Sequence, residues 1–264
     1  MTIEIQNLSK QFEQPDGGQL EVLQDVDLVV EEESFTTIMG PSGCGKSTLL
    51  NILAGLVSRD SGTITRDGEP VNPASLSYAY IFQDPRLLKW RTVRQNISFA
   101  LTAKGIPESE HDTRIEESLE MVGLLENKDS YPLQLSGGQR QRVGIARALA
   151  VDPDVLLMDE PFSALDELTA RQLRRDVLDL WQETGKTVLF VTHNISEAVY
   201  LSDKILFIDN DGQIFNRATI DVERPREFEA PELVELETEL MNQFFGHLEG
   251  STEEESEELL EEME

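Results

Sequence analysis

Residues 40–47 read Gly40-Pro41-Ser42-Gly43-Cys44-Gly45-Lys46-Ser47, the G-x-x-x-x-G-K-[ST] pattern of a phosphate-cradling loop. Glycines at this spacing let the backbone close around an anion with its N–H groups turned inward. A helix opening near Lys46 adds the positive end of its dipole. In that arrangement Lys46 reaches the β- and γ-phosphates of a nucleotide and the Ser47 hydroxyl binds Mg2+. A plain glycine-rich turn needs no such setting, whereas here the loop follows a β-rich run at 34–39 and opens a helical one at 46–56. Cys44 sits at a variable position of the pattern and reads as a passenger. Thr48, next in the chain, completes the nucleotide-contacting set.

A second segment, Val155-Leu156-Leu157-Met158-Asp159-Glu160, is an apolar run ending in two carboxylates. As a buried strand it delivers both to the carboxyl edge of a sheet, where α/β folds bind ligands. Asp159 would hold Mg2+ directly or through water, and Glu160 would polarise an attacking water. Alone, the two acids would read as caps of the turn before Pro161; beside a phosphate loop they read as catalytic. A third segment, Leu135-Ser136-Gly137-Gly138-Gln139-Arg140-Gln141-Arg142, leads into a helix. Its Ser-Gly-Gly start suits an anion, and Ser136 suits a simple N-cap equally well.

The elements that must hold these residues follow from periodicity. Strands are expected at 3–8, 20–30, 77–82, 155–158, 187–191 and 205–208, with a turn at Asp67-Gly68. Helical spacing covers 93–103, 113–122, 139–150, 168–184 and 195–202, broken by Gly105, Pro107, Gly123 and Pro132. Alternation of strand and helix predicts an α/β fold with a mostly parallel sheet. A helical insert at 84–150 divides a core made of 1–83 and 151–220. Residues 221–248 read as a C-terminal helical extension, with helix expected over 223–248, and 249–264 as an acidic tail without order.

With these three motifs present, the sequence resembles the ATP-binding subunits of ABC transporters over nearly its whole length except the tail. The resemblance implies a P-loop NTPase (RecA-like) core, an inserted α-helical subdomain carrying the Ser-Gly-Gly-Gln motif, and a small antiparallel β region. It implies ATP and Mg2+ as cofactors. It also implies an ATP-dependent head-to-tail homodimer in which Ser136, Gly137, Gly138 and Gln139 close over the γ-phosphate held by the other protomer. By the same resemblance Gln83 contacts Mg2+ and the attacking water, and His193 contacts the γ-phosphate. Ser163-Ala164-Leu165-Asp166 couples the two sites across the dimer, and Phe12 stacks on adenine.

Residues 82–93 contain Pro85-Arg86-Leu87-Leu88-Lys89-Trp90, similar to the Pro-Arg-Leu-Leu-Pro-Trp pattern of importer ATPases for nitrate, alkanesulfonates, taurine and thiamine-precursor pyrimidines. Lys89 stands where that pattern has proline. Asn194 stands where Asp is more usual after the switch histidine. Glu223-Arg224-Pro225-Arg226 also resembles that group. The implied partners are integral-membrane permease subunits and, indirectly, an extracytoplasmic substrate-binding protein. The implied location is cytoplasmic, peripheral on the inner face of the membrane. An exporter ATPase is the alternative within the family. Soluble ABC ATPases of translation or DNA repair usually carry two nucleotide domains or a long coiled coil, and neither fits in this length.

Composition narrows the class further. The 264 residues carry 22 Lys and Arg against 51 Asp and Glu, a formal net charge of −29. Such a surface lacks the clustered cations that neutralise phosphates, so no nucleic-acid partner is expected. Nine glutamates lie between Glu249 and Glu264, which leaves −20 on the rest of the chain. Self-repulsion of this size falls with salt, and a salt-rich cytoplasm is the expected setting. No apolar run approaches the ~18–20 residues that span a bilayer. No basic and apolar export signal stands at Met1, and a single cysteine leaves no internal disulfide.

Overall fold

The computed structural model describes residues 1–15 and 17–261, with side chains to residue 249. The strands with the most continuous apolar character take the centre. Among the described residues, six strands form one sheet in the order β10 (Ile214–Thr219), β9 (Lys204–Ile208), β3 (Phe35–Met39), β8 (Thr187–Thr192), β7 (Val155–Asp159) and β6 (Tyr78–Ile81). All neighbours are parallel except β10 with β9. Every residue of β3 and β8 is buried, the signature of parallel strands covered on both faces.

The two-residue period of each strand divides the core. On one face Ile38, Leu157, Leu189, Val191 and Leu206 pack against α1 (Lys46–Leu53) and a second sheet. That sheet is antiparallel, in the order β2 (Gln19–Val30), β1 (Ile3–Glu13), β4 (Ser61–Arg66) and β5 (Glu69–Pro70). On the other face Phe35, Met39, Met158, Phe190 and Phe207 join the apolar sides of α2 (Val93–Ala103), α3 (Glu108–Met121), α4 (Gly137–Ala150), α5 (Glu167–Thr184), α6 (Ile195–Leu201) and α7 (Pro231–Glu261). Helices α2, α3 and α4 lie between β6 and β7 in the chain. The α/β fold with a mostly parallel sheet and a smaller antiparallel region is the one expected.

Several boundaries differ from the periodic reading. Helix α1 stops at Leu53 rather than running to 56, because Gly55 takes a left-handed φ of 67° just after its last turn. Helix α3 starts at Glu108, on the residue after Pro107, with Glu108 and Glu110 in its first turn. Strands β4, β5 and β10 lie outside the expected set: they are short and mostly polar, β5 and β10 stand at sheet edges, and no sustained apolar alternation marks them. Helix α7 starts at Pro231 rather than 223. Its backbone is helical through Glu261, where order was not expected after 249; glutamate, leucine and methionine are all strong helix formers. Residues 262–264 of that tail lie outside the described residues.

Candidate active site

The parallel strands end on one edge, and the loops that leave them carry most of the residues singled out above. Gly40 follows β3, Asp159 ends β7, Glu160 follows it, His193 follows β8 and Gln83 lies two residues beyond β6. Register makes the alignment: Met39 is opposite Thr192, and Asp159 is opposite Val191.

Between β3 and α1 the chain turns through Gly43 and Gly45, with φ of 90° and 93°, a region that L side chains avoid. At Gly45 a Cβ would lie 2.5 Å from the Val22 carbonyl oxygen, so β2 is pressed against the start of α1. No side chain caps α1, and no acid stands in its first turn. Its N–H groups and dipole are therefore directed at the loop. Lys46 is buried, and its ammonium donates to the carbonyls of Gly40 at 2.9 Å and Pro41 at 2.5 Å. Cys44 is buried beside it, with Sγ 3.7 Å from Lys46 Nζ. Burial pushes the Cys44 thiol up, so it stays protonated and inert.

Ser47 Oγ donates to Asp159 Oδ1 at 2.9 Å, joining the phosphate loop to the end of β7. The other carboxylate oxygen accepts from Tyr80 OH at 3.0 Å. Burial, then the Asp159 charge and the bond to it, push the Tyr80 phenol far above its usual range, so it remains a donor. Tyr80 was not found from the sequence: a tyrosine in an alternating strand carries no signal that separates it from core. Glu160 adopts a left-handed φ of 44°, which costs a non-glycine residue about 1–2 kcal/mol. Its N–H donates to the Val191 carbonyl at 3.0 Å, and its own carbonyl accepts from Ser163 Oγ at 2.9 Å. The twist sends the Glu160 carboxylate towards His193, whose Nδ1 lies 3.0 Å from Oε2. A carboxylate only accepts, so the contact puts the proton on Nδ1.

The remaining residues lie apart from this cluster. Ser136 caps α4 in a reciprocal box: Gln139 N–H donates to Ser136 Oγ at 3.2 Å, and Ser136 N–H donates to Gln139 Oε1 at 2.9 Å. Among the described residues this segment makes no hydrogen bond to the phosphate loop. It packs on α5 instead, where a Cβ on Gly138 would lie 2.4 Å from Thr169 Cγ2. Asp166 caps α5 by accepting from Thr169 N–H at 3.1 Å, and that bond holds its carboxyl below the usual range. Phe12 is partly exposed, with Lys10 Nζ 5.1 Å from its ring centroid. It stands opposite Leu20, two residues from Val22, at the end of the hairpin that touches Gly45. Gln83 is exposed.

Comparison with known proteins agrees with the geometry. Residues 23–163 match the ABC transporter family model. An uncharacterised ABC transporter ATP-binding protein of Methanocaldococcus jannaschii is 44% identical over 241 residues, 91% of this chain and 90% of its own. A taurine import ATP-binding protein of Jannaschia is 43% identical over 202 residues, 76% and 75% of the two chains. An aliphatic sulfonates import ATP-binding protein of Bacillus thuringiensis is 40% identical over 245 residues, 92% and 96%. A bacterial ABC transporter cassette solved as a dimer superposes with a TM-score of 0.74 at 32% identity, over 84% of this chain and 100% of that one. A likeness this extensive, in sequence and in fold, places the chain in the ABC transporter family, as an ATP-binding protein that hydrolyses ATP.

Proposed function

We propose that this chain is the ATP-hydrolysing subunit of an importer for a small anion such as nitrate, taurine or another sulfonate. It works as a head-to-tail homodimer against permease subunits on the cytoplasmic face of the membrane, with an extracytoplasmic binding protein delivering the solute. The observation that carries the reading is the strand-edge cluster, above all the Ser47–Asp159 bond that brings the phosphate loop to the carboxylates. The names of the relatives supply the substrate class: taurine, nitrate and aliphatic sulfonates.

The phosphate loop binds the β- and γ-phosphates through backbone N–H groups, the α1 terminus and Lys46, which exchanges its carbonyl partners for phosphate oxygens. The donors around Asp159 fit Mg2+: a hydroxyl and a carboxylate already converge, and among the described residues no group of three or more His, Cys, Asp or Glu forms a protein cage. Mg2+ takes few protein oxygens and completes its shell with water and phosphate. Ser47, Asp159 and Gln83 would hold it, and bound there it neutralises charge on the phosphates. Glu160 accepts the proton of the attacking water, and His193, oriented by Glu160, contacts the γ-phosphate. The Ser136–Gln139 segment, which makes no hydrogen bond to its own phosphate loop among the described residues, serves the site of the second protomer. Nucleotide contacts made from both sides exist together only in the closed dimer, so ATP favours closure.

No helix among the described residues is long and apolar enough to cross a membrane; in this reading the permease subunits supply the path across it. Trp90 and Leu133, 73% and 76% exposed, precede α2 and α4, and Phe99 on α2 and Tyr131 before α4 are also exposed, apolar side chains suited to a protein partner. The test is affinity capture of tagged Glu160→Gln from detergent-solubilised membranes in Mg-ATP and high salt. Recovery of a multi-span permease with a binding protein supports the reading. Recovery of soluble partners or ribosomes alone overturns the transport role.

A further inference from the structure

The buried face of α5 is apolar at Ala170, Leu173, Val177, Leu178 and Leu180, yet Arg174 stands in its middle with its side chain 5% exposed. Its guanidinium reaches three segments of the active site. Nε and Nη2 both donate to Glu197 Oε1, at 3.2 and 2.9 Å. Nη1 donates to Glu167 Oε1 at 3.1 Å, one residue after Asp166. The ring of Phe162, two residues after Glu160, lies 5.8 Å from the guanidinium carbon.

Glu197 passes the link onward. Its side chain is 6% exposed, and its Oε2 accepts from Thr192 Oγ1 at 2.6 Å. Thr192 Oγ1 in turn accepts from Asn194 N–H at 3.0 Å. Asn194 Oδ1 caps α6 by accepting from the N–H groups of Ser196 and Glu197, at 2.9 and 3.3 Å. The residues on both sides of His193 are therefore fixed by one chain of bonds that ends on Arg174. Burial pushes the Glu197 carboxyl up, and the bonds from Thr192 and Arg174 pull it back.

An ion pair this deeply buried is poor value as stabilisation, because desolvation offsets the attraction and a well-packed apolar pair serves as well. What it provides is direction: a planar fork sets α6, through Glu197, against the first turn of α5 at Glu167, with the Phe162 ring beside it. We propose that Arg174 is a positioning residue for ATP hydrolysis, holding His193 at Glu160 through Glu197 and Thr192 and tying that placement to the Asp166 turn through Glu167. The inference rests on the reading of Glu160 and His193 given above. Asp166 belongs to the segment assigned to the dimer interface, so a shift of that turn reaches His193 through Arg174 without crossing the nucleotide.

The test uses the full chain. Arg174→Met alone strands a buried carboxylate and risks unfolding, so it is paired as Arg174→Met/Glu197→Gln, in which the amide oxygen still accepts from Thr192. Arg174→Lys is the second variant, keeping the charge and losing the fork. Both are expected to lower kcat about tenfold or more while nucleotide affinity stays within about twofold, since small misplacement of a catalytic group acts on turnover. With three histidines in the chain, selectively labelled His ring resonances give a second readout. The His193 signal should move or broaden, and those of His111 and His247 should hold. In a His193→Ala background the Arg174 changes should cost little more. Unchanged kcat and an unchanged His193 resonance in both variants, or a full further loss in the His193→Ala background, overturns the proposal. If Glu160→Gln and His193→Ala lose turnover while the Arg174 variants keep it, this inference alone fails. If those two controls themselves keep full turnover, the reading of the site fails and this inference with it.

Discussion

Lys46 is buried with its ammonium on two carbonyls of the loop it serves, so the positive charge is set in place before any nucleotide arrives. Replacing it removes a charge-assisted contact worth about 1.5–3 kcal/mol. Lys46→Ala should therefore bind ATP roughly ten- to a hundredfold more weakly, as read by fluorescent-nucleotide titration, and unchanged affinity would remove Lys46 from the phosphate site. Glu160 is a different case, because its left-handed backbone and its contact with His193 aim a carboxylate where no phosphate needs one. Glu160→Gln keeps the shape and loses the carboxylate proposed as the base. Turnover should fall about 10²–10⁴-fold with ATP binding intact, and size-exclusion light scattering in Mg-ATP should show a persistent dimer. Rapid turnover by this variant would take the base role away from Glu160.

Between elements, the contact that matters most for the second motif is α4 against α5. Gly138 lies where any Cβ would meet Thr169 Cγ2 at 2.4 Å, inside the first turn that Asp166 caps. Gly138→Ala must turn the Thr169 methyl aside or push the two helix starts apart, at about 1–3 kcal/mol for an overpacked contact. The expected result is loss of ATPase activity with nucleotide affinity preserved, since the phosphate loop is on other elements. Thr169→Ser removes the clashing methyl and should restore turnover in the double variant; failure of that rescue would mean Gly138 is needed for another reason. The same contact shows where the sequence was legible. Glycine, serine and lysine in a fixed spacing announce a phosphate loop because backbone geometry demands them, and four apolar residues before Asp159 announce a buried strand. Nothing in the residues 166–174 announces that Thr169 meets Gly138 or that Arg174 meets Glu197, since an arginine in an amphipathic helix reads as its solvent face. Tyr80 is hidden for a similar reason, its hydroxyl being useful only because β6 and β7 are neighbours. Roles for Gln83, Phe12 and His193 rest on family resemblance, and the geometry sets His193 against Glu160 and the Lys10 ammonium over the Phe12 ring.

At the scale of the whole molecule the governing quantity is the net charge of −29. Salt acts on it in two opposed ways. It screens ion pairs such as Lys128–Glu116 at 2.8 Å and Lys186–Asp152 at 2.6 Å, but exposed pairs of this kind are worth about 0–1 kcal/mol each. It also screens repulsion among carboxylates that have no cation to meet. The lysines are largely used: Lys10, Lys128, Lys186 and Lys204 already face Asp60, Glu116, Asp152 and Glu31, while Lys46 is held within the phosphate loop. Acids therefore exceed cations over most of the surface, and repulsion is the larger of the two effects. Screening it should raise stability as KCl increases from ~0.1 M to ~1 M, where the Debye length falls to about 3 Å. A gain of a few kcal/mol would raise Tm by roughly 5–10 °C in a chain of this size. Thermal unfolding in KCl, beside sucrose at matched osmolality, separates screening from general exclusion of solute. A Tm that rises in KCl well beyond the sucrose control is the expected outcome. A flat or falling Tm would mean that the ion pairs outweigh the repulsion, and that the acidic surface is no adaptation to salt.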